Sequence, residues 1–115
     1  MMKIQETETA LSVFEEAATK HAEATEIGDY KIANKNYDLV LKAVLYLKEK
    51  NEIDKLFNFL THSSIGVRMA ASTYLLPKHE KEAIKVLSEI SRSPGIHALS
   101  AETIISEWKK GNLKL

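Results

Sequence analysis

Apolar residues recur every three to four positions along most of the chain, and nowhere do they alternate with polar ones at a period of two. The spacing predicts six helices and no strands. The first covers about 6–27. On a helical wheel Ala10, Val13, Phe14, Ala17, His21 and Ala24 share one side, and Glu8, Ser12, Glu15, Glu16, Thr19, Glu23 and Glu26 lie opposite. The second, about 30–50, has a wider apolar arc of Ile32, Ala33, Leu39, Val40, Ala43, Val44 and Leu47, flanked by Tyr37 and Tyr46. An arc this wide predicts contact on two sides.

The remaining helices are shorter. They are expected over 52–60, 65–76, 80–91 and from Ser93-Pro94 to Gly111. Gly28 suits the left-handed residue that ends the first helix, and Asp29 suits the cap of the second. Asn51 reads as the cap of the third, with Asp54 in its first turn. Ser63 and Ser64 offer caps for the fourth, which Pro77 stops because proline has no amide donor. Ser93-Pro94 reads as cap and first residue of the sixth.

A faint echo links these short helices. Leu56-Phe57-Asn58-Phe59-Leu60 with Val67-Arg68-Met69-Ala70-Ala71 recurs about thirty positions later as Val86-Leu87-Ser88-Glu89-Ile90 with His97-Ala98-Leu99-Ser100-Ala101. Such a period marks stacked helical hairpins, each too thin to bury its own apolar face. The expected architecture is all-α: a short right-handed solenoid of HEAT or armadillo type, forming a single domain over 1–115. The echo covers only 51–110, so the long first hairpin stands outside it.

Composition narrows the chemistry. The 115 residues include no cysteine, which removes disulfides, thiolate metal sites and cysteine nucleophiles. The longest apolar run, 43–47, falls far short of a membrane span, and the opening residues lack the apolar stretch of a signal peptide. A cytoplasmic location is expected. Net charge is zero but unevenly placed. Residues 1–30 carry seven carboxylates against Lys3 and Lys20, a net of −5, leaving the remainder at +5. Neutral balance disfavours nucleic acid as the main partner, and an acidic first helix favours a basic protein.

No catalytic motif emerges. His21, His62, His79 and His97 lack metal-ligand spacing, and no phosphate-cradling glycine loop or nucleophile elbow is present. No enzyme activity, cofactor or metal is therefore expected. His21 is expected to be half-buried beside a tyrosine or carbonyl, and the other three histidines to be solvated in or near loops. Asn36 falls inside the apolar arc of the second helix and needs a hydrogen-bond partner, since an unpaired buried amide costs about 1–3 kcal/mol. Trp108 and Tyr74 are expected in the core. Arg68 has two readings, an interfacial carboxylate ligand or an internal bridge.

The stretch Gly28-Asp29-Tyr30-Lys31-Ile32-Ala33-Asn34-Lys35-Asn36-Tyr37, the run from Val67 to Pro77 and the ending Glu107-Trp108-Lys109-Lys110-Gly111-Asn112-Leu113 together resemble a small bacterial HEAT-like helical family of unknown function. The resemblance spans nearly the whole chain. It implies an immunity protein of the kind encoded beside bacterial toxins, one that covers the active site of a cognate toxin, often a nuclease. The acidic face agrees with this, and Glu8, Glu15, Glu16, Glu23 and Glu26, with Arg68, are the candidate partner-binding residues. Two other classes remain open: a helical-repeat adaptor gripping a protein or peptide through the fourth and sixth helices, and a helical repeat tracking nucleic-acid phosphates with its lysines.

Overall fold

The computed structural model describes residues 4–115, and these gather into two compact units, one ending at Leu56 and the other spanning Phe57–Leu115. Lys3, part of the charge tally, lies outside the described residues. Helices account for the architecture: α1 (Thr7–Glu26), α2 (Tyr30–Glu49), a 3-10 helix (Ile53–Thr61), α3 (Ile65–Leu75), α4 (Glu80–Ser91) and α5 (Ile96–Lys109). The protein is all-α, with six helices and no strand among the described residues.

In the first unit α1 and α2 form a long hairpin. Its turn follows from two residues. Gly28 adopts φ +75°, and the amides of Gly28 and Asp29 donate back to the carbonyls of Thr25 and Ala24, closing α1 with a Schellman motif. Asp29 then caps α2, its Oδ1 accepting from the Ile32 amide at 3.1 Å. At the far end the Thr7 hydroxyl donates to Glu52 Oε1 at 2.7 Å, tying the start of α1 to the chain leaving α2.

Alanines dominate the buried side of α1, where Ala10, Ala17, Ala18, Ala22 and Ala24 flank Val13 and Phe14. Small residues let two helix axes approach closely. Ala18 and Ala22 broaden the buried arc beyond the stripe expected from the wheel. On α2 the buried set is Ala33, Asn36, Val40, Ala43, Val44 and Leu47. Phe14 and Leu47 are wholly buried, each contributing about 1.5–3 kcal/mol of apolar transfer.

Asn51 does not cap a following helix. It takes φ +57°, its amide donates to the Lys48 carbonyl, and the Glu52 amide donates to Leu47, which is again a Schellman ending. Asparagine tolerates the left-handed conformation, so it serves here as the stop of α2. The expected α-helix over 52–60 is instead a 3-10 helix. Ile53, Leu56 and Phe59 are spaced by three residues, and in a helix of three residues per turn they stack on one side.

In the second unit α4 packs against both α3 and α5, and α3 meets α5 at a smaller contact. The boundary between the units falls close to where the sequence echo begins. Equivalent positions are buried in both halves of the echo: Leu60 with Ile90, Val67 with His97, and Ala71 with Ala101. Ser64 caps α3, its Oγ accepting from the Val67 amide, and α3 stops at Leu75, two residues before Pro77.

α5 starts later than Ser93-Pro94 suggests. The Ser93 hydroxyl donates to the Ile90 carbonyl at 2.7 Å, Gly95 sits at φ +108°, and the helix begins at Ile96. Ser93 therefore closes α4 rather than opening α5. His97 lies one turn before the buried Ala101 on the same side of α5, in the place of Val67, and is 6% exposed where a solvated histidine was expected. Trp108 is half-buried, and its Nε1 donates to Glu80 Oε2 at 2.6 Å, joining the end of α5 to the first turn of α4. Gly111, at φ +77°, terminates α5.

Candidate functional site

The exposed side of α1 is built by helical spacing alone. Glu8, Glu16, Glu23 and Glu26 are exposed and Glu15 is half-buried, so the five candidate carboxylates run along one side of a single helix. Eighteen residues separate Glu8 from Glu26, about 27 Å at 1.5 Å per residue. The row is not purely anionic. Lys20 Nζ lies 2.8 Å from Glu16 Oε1, one helical turn away. The ammonium, through this hydrogen bond and its charge, holds the Glu16 carboxyl below its ordinary value, and the carboxylate raises Lys20 in return. Both groups are solvent-exposed, so the pair orients side chains more than it stabilises the fold.

Beside this row a groove of about 580 Å³ runs between α1 and α2. Val13, Ala17 and Leu39 supply its apolar lining; Glu6, Glu8, Glu16 and Lys20 line it from the α1 side and Lys35 from α2. Asn36 also lines the groove. The partner it needs is on its own helix: Nδ2 donates to the Ile32 carbonyl at 3.0 Å. His21 is half-buried as expected, with its ring centroid 5.9 Å from that of Tyr37.

The last turn of α1 has an electrostatic oddity. A helix C-terminus carries partial negative charge and favours cations, yet this turn holds Glu23 and Glu26 and no basic residue. The placement works against helix stability.

Arg68 belongs to the other unit and is not part of the acidic row. Its Nη1 donates to the carbonyls of His62 at 2.7 Å and Ser63 at 3.1 Å, and the Ser64 amide donates to His62 Nδ1 at 2.9 Å. These bonds knot the turn before α3. Of the two readings of Arg68, the internal one is the one with contacts, although the bridge is to its own turn and not to the next repeat. The residue also borders a second cavity of about 400 Å³, with Ile65, Val86 and Glu89. His62 and His79, expected to be solvated, are half-buried instead; edge-on ring contacts with Phe59 and Phe57 hold them.

Among the described residues no group of His, Asp and Glu converges to hold a metal ion, and no helix is long and apolar enough to cross a membrane. No protein-family model matches the chain, and neither does any curated protein or solved structure.

Proposed function

We propose that this chain is a non-enzymatic protein-binding module that docks the carboxylate side of α1 onto a basic partner. In its most specific form the reading is an immunity protein of the HEAT-like bacterial type, neutralising a cognate toxin in the cytoplasm. The observation that carries it is the row from Glu8 to Glu26, four of its five carboxylates exposed along about 27 Å of helix and two of them in a C-terminal turn where the helix dipole disfavours negative charge. A nuclease needs a cationic groove for its substrate. An inhibitor that presents carboxylates to that groove gains association rate and selectivity, and denies the phosphates their site.

The adaptor alternative draws less support from Arg68, whose Nη1 already donates to the His62 and Ser63 carbonyls. Co-expression tests the immunity reading. Cells producing the toxin domain encoded by the adjacent gene survive when this chain is present, and the two proteins copurify. Survival without a complex, or continued killing in the presence of folded protein, rejects it.

A further inference from the structure

We propose that the outer side of α2 is a self-association surface whose occupant is a second copy of this chain, placed antiparallel across a two-fold axis near Val40. Tyr30, Tyr37, Leu41 and Leu45 follow at intervals of seven, four and four residues, which sets them within about 80° of the helix circumference. Tyr30 is 75% exposed, Leu45 60% and Tyr37 46%, with Leu41 half-buried. This stripe is distinct from the side of α2 that carries its buried residues.

Charge identifies the occupant. Alongside the stripe runs a second file of exposed residues, Lys31, Asp38, Lys42 and Glu49, none of which forms an ion pair among the described residues. Their positions are symmetric about residue 40 and their charges are opposite at each symmetric pair. An antiparallel two-fold pairing therefore sets Lys31 against Glu49 of the second copy and Asp38 against its Lys42, with each contact made twice. A parallel pairing in register sets every charge against its like.

The apolar stripe obeys the same axis to within about one residue. Tyr37 meets Leu41 of the second copy, Asn34 meets its Leu45, and Tyr30 meets its Lys48, whose methylenes and ammonium suit an aromatic face. The product is a bundle of four helices, two from each copy, which covers the exposed part of this apolar stripe.

Sedimentation equilibrium of the full chain between about 10 μM and 1 mM tests this directly. The expected result is a reversible monomer–dimer equilibrium. Asp38→Lys and Lys42→Asp each turn two attractive contacts into repulsive ones and weaken dimerisation about tenfold. Mixing the two variants restores it, because both contacts between positions 38 and 42 across the axis then pair an ammonium with a carboxylate. Circular dichroism checks that both remain helical, and Leu45→Lys, at an exposed position, provides an independent disruption. A wild-type chain that stays monomeric at about 1 mM overturns the proposal. So does a dimer indifferent to the single reversals, or a mixture that fails to recover.

Discussion

Replacing Asn36 by leucine isolates the energetic consequence of a buried amide bonded only to its own helix. Asn36 is 6% exposed, and its one side-chain hydrogen bond runs to the Ile32 carbonyl at 3.0 Å. That carbonyl is also the regular i−4 acceptor of the Asn36 amide in α2, so deleting the side chain orphans nothing on the backbone. The loss is one hydrogen bond worth about 0.5–1.5 kcal/mol net. Against it stand burial of a leucine of similar size, about 1.5–3 kcal/mol, and a gain in helix propensity of a few tenths. Asn36→Leu is therefore expected to stabilise the protein by about 1–2 kcal/mol, a rise in melting temperature of roughly 4–10 °C for a chain of this size. Urea unfolding followed by circular dichroism at 222 nm measures it, with the midpoint rising at unchanged slope. A destabilisation of about 1 kcal/mol or more refutes the reasoning. It would mean that the amide oxygen has a second obligation across the groove to α1.

Three further outcomes follow from local geometry. Asn51→Gly leaves stability nearly unchanged, whereas Asn51→Ser costs about 1 kcal/mol, because the position needs a left-handed backbone and not a hydroxyl cap; thermal melts of the two variants separate these roles. Trp108→Phe removes the indole donor to Glu80 and lowers stability by about 1 kcal/mol, while Glu80→Gln shifts the emission of the single tryptophan without unfolding α5. Lys20→Met raises the midpoint of the Glu16 carboxyl titration, read by NMR, towards its ordinary value of 4.5. Since the folded value is depressed, whatever stability the pair adds is present at neutral pH and fades as pH falls through that lowered value. On the alkaline side it is lost as pH rises through the raised Lys20 value.

Much of the fold was legible because helix periodicity, glycine stops and oxygen caps act locally. Gly28 with Asp29, Ser64, Pro77 and Gly111 marked real ends for that reason. Asn51 misled because asparagine serves both as an N-cap and as a left-handed stop, and only the backbone distinguishes the two. Ile53, Leu56 and Phe59 fit an α-helix loosely and a 3-10 helix better, a distinction carried by one residue of spacing over a short segment. Ser93-Pro94, an ordinary helix-opening pair, was in use as an α4 terminator, whereas His97 is buried because it lies one turn from Ala101 on the inner side of α5, a spacing already present in the sequence.

The candidate site divides in the same way. Which glutamates share the outer side of α1 follows from spacing alone, since a helix fixes its faces. That Lys20 engages Glu16, and that Glu15 is half-buried, depends on rotamers and on packing that a wheel does not hold. Arg68 was ambiguous because a guanidinium suits a carboxylate and a pair of turn carbonyls equally well; in the fold its Nη1 donates to the His62 and Ser63 carbonyls, a contact that spacing along the chain does not foretell. The two-fold charge symmetry of α2 was present in the sequence throughout. It became meaningful once burial showed that Lys31, Asp38, Lys42 and Glu49 lie on the open side of the helix.

The most direct measurement of the central claim is the salt dependence of toxin association for the wild type and for a chain with Glu8, Glu15, Glu16, Glu23 and Glu26 reversed to lysine. Stopped-flow association at several ionic strengths, on proteins shown to be helical, is expected to give a wild-type rate that falls steeply with salt. The reversed chain is expected to associate at least about tenfold more slowly at low salt, with the dependence flattened or inverted. Equal rates and equal salt slopes for the two chains would contradict the assignment of α1 as the docking surface.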